Sequence, residues 1–530
     1  MNVADRPERL QRRLGAPCLL VPLAFAVMLL PTLGMGSQPR PDSATDPAAA
    51  SAERRSAPLT EEEVLAATGR HFPRILERLA QQRAARGRER TATGAFDLVF
   101  DVDSFNYATG FYDGVSLEAK ASQPLRPLGA RVYGGWKISD GTFPTYQDER
   151  FTNTGGKFKV GVLFSLLRDR DIDARRFGEQ DARIATQEAE LDVLLTRIGV
   201  QQGALGAYWN WVASGRELQI YEQLLRIAIE RQTGLEQRVR AGAVASVFLT
   251  ENLQNITRRQ TLEVVARRAH EAAANNLSFY YRDASGRPRR PDPARLPTMR
   301  SGDPAAGGAA PPTMAGPVAE DIVAFRSGLA ALFERRPELQ ALTAALERLE
   351  ARVQLARNEL KPRVDLSLEA GQPLGAVAEG GRSRDETEAI IGMTVSVPLQ
   401  RRIARGKLDV ARAELDAARH RQRLLEDEID VQLRNILLGL RTAQELLALA
   451  AQDMALSEQL MVAEQRRFDS GASDFFLVNL REEAAADARI RHVRATLDVR
   501  LARVELDAAT VNLSRLGIDV ASVPDAASFP

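Results

Sequence analysis

LRNILLGLRTAQELLALAAQDMALSEQLMVAEQRRFDSG, residues 433–471, has no proline and places Leu433, Leu440, Leu447, Met454, Met461 and Phe468 seven residues apart. Ala443, Ala450 and Ser457 fill the alternate positions, so the repeat spells a coiled-coil seam with one large and one small side. The seam breaks at Asp469-Ser470-Gly471, a turn. Working outward, the proline-free run extends from Pro398 to Pro524, and a second one lies between Pro144 and Pro288. Both are dense in Ala, Leu, Arg, Glu and Gln, the composition of long helices. In the second run Leu191, Ile198, Leu205 and Val212 keep the seven-residue interval. Trp211, Leu218, Leu225 and Val239 continue it one position over, up to a turn at Arg240-Ala241-Gly242. Residues 172–239 would make on the order of 100 Å of helix, more than a globular domain commonly uses. Beyond the turns, Phe248 to Tyr280 and Phe475 to Leu516 read as shorter helices.

The two runs belong to a larger internal repeat. Gly161-Val162-Leu163-Phe164-Ser165-Leu166 leads into the first long helix as Gly392-Met393-Thr394-Val395-Ser396-Val397 leads into the second, 231 residues later. The turn glycines Gly242 and Gly471 are 229 apart, which holds the register along a whole helix. His71-Phe72-Pro73-Arg74-Ile75 and Arg335-Arg336-Pro337-Glu338-Leu339 begin a shorter helix upstream in each half. The expected organisation is an export signal over 1–37, a flexible lead-in over 38–59 and a first repeat over 60–281. A Pro- and Gly-rich linker region over 282–335, a second repeat over 336–517 and a short tail over 518–530 complete it.

Each repeat also carries alternating strands. Val364 to Glu369 and Ile391 to Leu399 alternate apolar with polar across a Gly-rich loop, 371–381, and Arg131 to Ile138 with Lys157 to Phe164 could form the matching pair. Residues 96–123 are further strand-like material with no counterpart in the second half. Four strands leave two open edges that a bilayer could not satisfy, so spanning strands require several copies of the chain. Two copies would give eight strands and a filled interior; three would give twelve and a lumen.

Charge and composition remove other classes. With 71 basic and 70 acidic side chains there is no basic excess to bind nucleic acid, and 27% charged residues argue against a polytopic helical membrane protein. His71, His270, His420 and His492 have no partners at metal-ligand spacing, one cysteine excludes a disulfide framework, and no catalytic motif appears, so neither cofactor nor enzyme is expected. At the start, Arg6, Arg9, Arg12 and Arg13 precede an apolar run from Ala16 to Leu33 and the small residues Gly34, Gly36 and Ser37, the order of an export signal. Cys18 lies too early in that run for a lipoprotein anchor. Of the 30 aromatics, 13 lie between Phe96 and Phe164, which marks that stretch for a membrane boundary.

The order of elements, the turns Arg238 to Gly242 and Arg466 to Gly471, and Pro337-Glu338-Leu339 followed by Ala356-Arg357 and Pro362-Arg363-Val364-Asp365-Leu366-Ser367 resemble the TolC family of outer-membrane efflux proteins over residues 60–517. The resemblance implies a mainly α fold with a membrane β-barrel portion. Long coiled-coil hairpins would form a trimeric α-barrel in the periplasm, and four strands per protomer a 12-stranded barrel in the outer-membrane lipid. It also implies a duct of a tripartite efflux or type I secretion system, served by a periplasmic membrane-fusion adaptor and an inner-membrane efflux or ABC transporter. In that family acidic residues six and nine past the second turn glycine often narrow the entrance; here these are Leu477 and Leu480, and Phe248 and Glu251 in the first half. An apolar constriction is therefore expected from Phe475, Phe476 and Leu477 beside Asp474. Adaptor docking is expected at the turns, from Arg238, Arg240, Gly242, Arg466, Arg467, Asp469 and Gly471. The competing reading is an exported coiled-coil structural or adaptor protein without a channel, although an adaptor would carry one helical hairpin nested between β-domains and here two come in tandem.

Overall fold

In a computed structural model, the structure describes residues 57–297, 333–377 and 385–519. The export segment 1–37 lies outside them, as do 38–56 of the lead-in, 298–332 of the linker region and 520–530 of the tail. The elements run α1 (Glu61–His71), α2 (Pro73–Thr93), β1 (Val99–Asn106), β2 (Val115–Pro124), β3 (Arg131–Asp140), β4 (Lys157–Ser165), α3 (Ala174–Arg240) and α4 (Val247–Tyr280). After them come α5 (Pro337–Glu359), β5 (Arg363–Pro373), β6 (Glu388–Ser396), α6 (Arg402–Asp469) and α7 (Phe475–Ala509). The succession helix, strands, long helix, shorter helix thus occurs twice.

Local chemistry sets the helix ends. Asp173 caps α3 by accepting from the Arg176 N–H at 2.8 Å, and Asp474 caps α7 by accepting from the Leu477 N–H at 2.8 Å. Pro73 and Pro337 open α2 and α5, where the missing N–H costs nothing. The long helices α3 and α6, of 67 and 68 residues, are on the order of 100 Å each. Every expected seam residue of α6, from Leu433 to Phe468, is buried or half-buried, because the seven-residue repeat keeps one face turned to its neighbours.

The shorter helices make up two columns beside the long ones. α2 and α4 both pack on α3; α5 and α7 both pack on α6, and α3 packs on α5 and α7 as well. Where α4 ends and α2 begins, Phe72 stacks on Tyr280 at 5.6 Å and meets Phe279 edge-on at 5.3 Å. At the corresponding joint of α5 and α7, Leu339 and Ala509 share a cluster with Ile429, Leu433 and Ile436 of α6. The largest core lies beside the first joint and encloses Trp211, Val212, Leu277, Leu59, Val64 and Leu516. Residues 282–297 run across it: Arg295 is buried, bonds Glu63 at 2.6 and 3.1 Å, and donates to the Ala57 carbonyl at 2.7 Å.

The sheet corrects the expected strand count. Its six described strands form one antiparallel meander in the order β1-β2-β3-β4-β5-β6, where four were expected. Residues 96–123, left without a role by the repeat, supply β1 and β2. They escaped the count because a search for two matching halves has no place for a hairpin that only one half contains. β4 pairs with β5, Val162 opposite Leu368, and so joins the halves.

Candidate functional site

Both long helices end in the same motif. The Ala243 N–H bonds the Arg238 carbonyl at 2.9 Å and the Gly242 N–H bonds Val239 at 3.0 Å; in α6 Ala472 bonds Arg467 at 2.8 Å and Gly471 bonds Phe468 at 3.0 Å. These are Schellman closures, and the glycines have φ of 69° and 75°, which only glycine adopts without strain. The two turns define a tip. Arg238, Arg240, Arg466, Arg467 and Asp469 are exposed on it, although Arg467 is tied to Glu464 at 3.4 Å and to the Ala472 carbonyl at 3.2 Å. Between α3 and α6 an open cleft of about 550 Å³ has Gly234, Leu235 and Met461 in its walls and Arg238, Arg466 and Asp469 on its lining.

The expected constriction residues divide. Phe475 is buried, 6.2 Å edge-on from Phe248 and with Arg231 5.6 Å over its ring, so it packs the tip. Phe476 and Leu480 are exposed, and Leu477 and Glu251 are half-buried. Asp474 serves as the α7 cap.

Behind the tip lies a buried polar cluster that the sequence reading missed. Arg259 of α4 is fully enclosed, donates to the Leu224 carbonyl at 2.8 Å, and pairs with buried Glu482 of α7 at 2.9 Å. Arg231 of α3 bonds the same carboxylate and reaches Asn479 at 2.7 Å; Asn255 donates to Asn479 at 2.9 Å, and Asn252 to the Ala228 carbonyl at 3.1 Å. One carboxylate therefore ties three helices. Burial pushes the Arg259 guanidinium below the ordinary arginine range, and the Glu482 charge beside it pulls it part-way back. A signal was present. Followed backward from Leu277 and Ala274 at helical spacing, the buried stripe of α4 runs through His270, Ala266, Glu263, Arg259, Asn255 and Asn252, so its polar members occupy seam positions.

The sheet has two chemically distinct faces. On one lie Phe100 and Val102, Leu117 and Ala119, Trp136 and Ile138, Val160 and Val162, Leu366 and Leu368, then Ile391 and Met393. The other carries charge: Lys120–Asp103 at 3.3 Å, Lys159–Glu118 at 3.3 Å across Gly135, Lys157–Glu388 at 2.5 Å, and the Tyr133 hydroxyl donating to Glu369 at 2.8 Å. Strands of 8 to 11 residues, apolar on one side and charged on the other, fit a wall between lipid and an aqueous lumen. Among the described residues no helix is long and apolar enough to cross a membrane, and no group of His, Cys, Asp or Glu could hold a metal ion.

A family model described as outer membrane efflux protein matches residues 329–511. This stretch, 183 residues or about a third of the chain, is similar to outer membrane efflux proteins. That is the family to which the sequence pointed. A likeness of fold extends well past the matched stretch. The MtrE outer membrane channel of Neisseria gonorrhoeae, in its open state, superposes with a TM-score of 0.58 at 14% identity, over 86% of this chain and 89% of that one. VceC of Vibrio cholerae gives 0.57 at 14% identity, over 86% and 97%. The CmeC outer membrane channel of Campylobacter jejuni gives 0.54 at 13%, over 87% and 90%. At such identity the likeness is one of fold. A comparison with curated protein sequences finds no match.

Proposed function

We propose that the chain is the outer-membrane duct of a tripartite efflux or type I secretion system, with its strands in the outer-membrane lipid and its helices in the periplasm. The observation that carries this reading is the two-faced sheet on top of helices of on the order of 100 Å, within a fold shared with outer-membrane channels. Both lateral edges of the helical layer are unfinished. α6 exposes Val431, Leu438, Leu449 and Leu456, and α4 exposes Leu253 and Val264. Copies of the same chain cover these stripes, three to a ring as the family resemblance implies.

At the tip, the exposed arginines and Asp469 receive a periplasmic membrane-fusion adaptor, whose cargo comes from an inner-membrane efflux or ABC transporter. Phe476, Leu477 and Leu480 form the constriction, with Phe475 and Phe248 packing behind them and Glu251 and Asp474 beside them. Transport through the duct is passive, as befits a chain with no nucleotide or catalytic motif.

Fractionation tests the placement: a heat-modifiable oligomer in the outer membrane is expected, and recovery of a soluble periplasmic monomer would return the chain to the coiled-coil structural or adaptor reading. Charge reversal at Arg238, Arg466 and Arg467 is expected to abolish efflux while the oligomer survives; unimpaired efflux would remove the docking assignment. In a planar bilayer, replacing Phe476, Leu477 and Leu480 with alanine is expected to raise conductance, and an unchanged value would remove the constriction.

A further inference from the structure

The β1–β2 hairpin has no counterpart in the second half, and its placement decides how wide a barrel this chain can build. It is joined to the rest of the sheet along its whole length: β2 pairs with β3 from Val115–Asp140 to Pro124–Arg131, ten residues without interruption. Both faces continue across it. Phe100, Val102, Leu117 and Ala119 extend the apolar side, and Asp103, Glu118 and Lys120 extend the charged side, with Lys159 of β4 reaching Glu118. Its ends are fastened as well. Near the helices the β2–β3 turn is held by Arg126, which pairs with Glu179 of α3 and covers the Phe96 ring at 4.6 Å. At the far end Asp113 accepts from the Thr142 N–H at 2.9 Å and its hydroxyl at 2.6 Å, and the Tyr107 hydroxyl donates to Gln147 at 3.0 Å.

A hairpin lying aside from the wall would have no reason to alternate in step with it. Exposed apolar side chains such as Phe100 and Val102 would then face water, and the β1 edge would remain open. We infer, resting on the duct reading above, that the whole six-stranded sheet enters the barrel wall. The edge of β1 then pairs with the edge of β6 in a neighbouring copy, and three copies make an 18-stranded barrel. In a meander of six strands the first and last run in opposite directions, so this closure is antiparallel like every other pair. It also sets Phe100 and Val102 on the same side as the neighbour's Ile391 and Met393.

Cysteine pairs in the full-length chain, with Cys18→Ser as background, test the edge. Ser104→Cys in β1 combined in turn with Ala389→Cys, Ile391→Cys, Met393→Cys and Val395→Cys in β6 is expected to give disulfide-linked dimers and trimers in the outer-membrane fraction. Ile138→Cys in β3 with the same series is expected to give none. Linkage through β3 in membrane-inserted protein, or no linkage from β1 anywhere in the series, would overturn the six-stranded wall and leave the duct intact. Recovery of soluble monomer would overturn both. Imaging of the unmodified oligomer in a lipid nanodisc gives an independent count: 18 strands are expected, and 12 would overturn the inference.

Discussion

The middle and the tip of α3 are built from the same helix by opposite means. At the middle Trp211 and Val212 are wholly enclosed with Leu277, Leu59 and Leu516 in an apolar core. About 30 Å further along, the helix offers Arg231 to a buried carboxylate shared with Arg259. An apolar core is non-directional, and any opening exposes its surface to water. The tip cluster depends on direction and on exact pairing of charge, and its members regain hydration when they separate. The difference teaches that one continuous helix can be fixed at its centre and remain separable at its end.

The largest expected effect lies at the fixed end. Trp211→Ala leaves a cavity in a site with no room to collapse and is expected to cost about 3–5 kcal/mol of stability, read by denaturant unfolding. Glu482→Gln removes the charge that compensates Arg259 and is expected to cost about 2–3 kcal/mol. Hydrogen exchange should show faster opening over residues 224–260 and 475–490 and unchanged protection around Trp211; uniform loss of protection would erase the contrast between the two regions. The triple variant Arg231→Met, Arg259→Met and Glu482→Leu should recover that loss, because packed apolar side chains avoid the desolvation of all three ions.

Gly242→Ala and Gly471→Ala sharpen the comparison at the turns. Nothing lies within 4 Å of a β-carbon at either position, so the cost is that of the left-handed backbone alone, about 1 kcal/mol each. It should appear as fraying of the last helical turns and not as a shift in global unfolding.

The smallest effect is a pH dependence that belongs to the middle. His270 lies 6.0 Å from the Trp211 ring, stacked, with Ser214 at 3.3 Å; burial holds its pKa below the ordinary value, the Arg290 charge adds to this, and a backbone hydrogen bond with Trp211 and the carboxylates Glu271 and Glu222 oppose it. The unfolded chain therefore binds the proton more readily. Stability contributed by the neutral ring is present above the unfolded pKa of about 6.5 and falls as pH drops through it towards the lower folded value. Thermal unfolding between pH 7 and 5 should show this loss, and His270→Gln should flatten it. Residues 224–260 and 461–484 contain no histidine, so the tip should not respond in this range.

The helical layer was legible in the sequence because its signal is redundant. Leu433 to Phe468 repeat six times, two proline-free runs agree, and the glycines at both turns stand where left-handed backbone is required. The second-half hairpin was legible for the same reason. Two parts were not. β1 and β2 alternate as clearly as the other strands, yet inner symmetry offered no slot for them. The Arg231–Glu482–Arg259 cluster was hidden because a charged residue on a seam is indistinguishable, in sequence, from one on a wet face until its neighbours are known. Phe475 shows the converse: three bulky residues in a row at a tip do not reveal which of them faces inward to its own chain.

The joint of Phe72 with Phe279 and Tyr280 is, in mechanical terms, a splice without a bolt. Two separate stretches of chain abut there, α2 from one side and α4 from the other, so nothing covalent runs along that column. Tension along the layer passes the joint through α3, and through α6 at the second joint, while the aromatic stack resists compression. A twist applied to α4 at the tip can therefore stop at Tyr280 without rotating α2 and the strands that follow it. The sheet can hold its strand pairing while the far ends of the helices move.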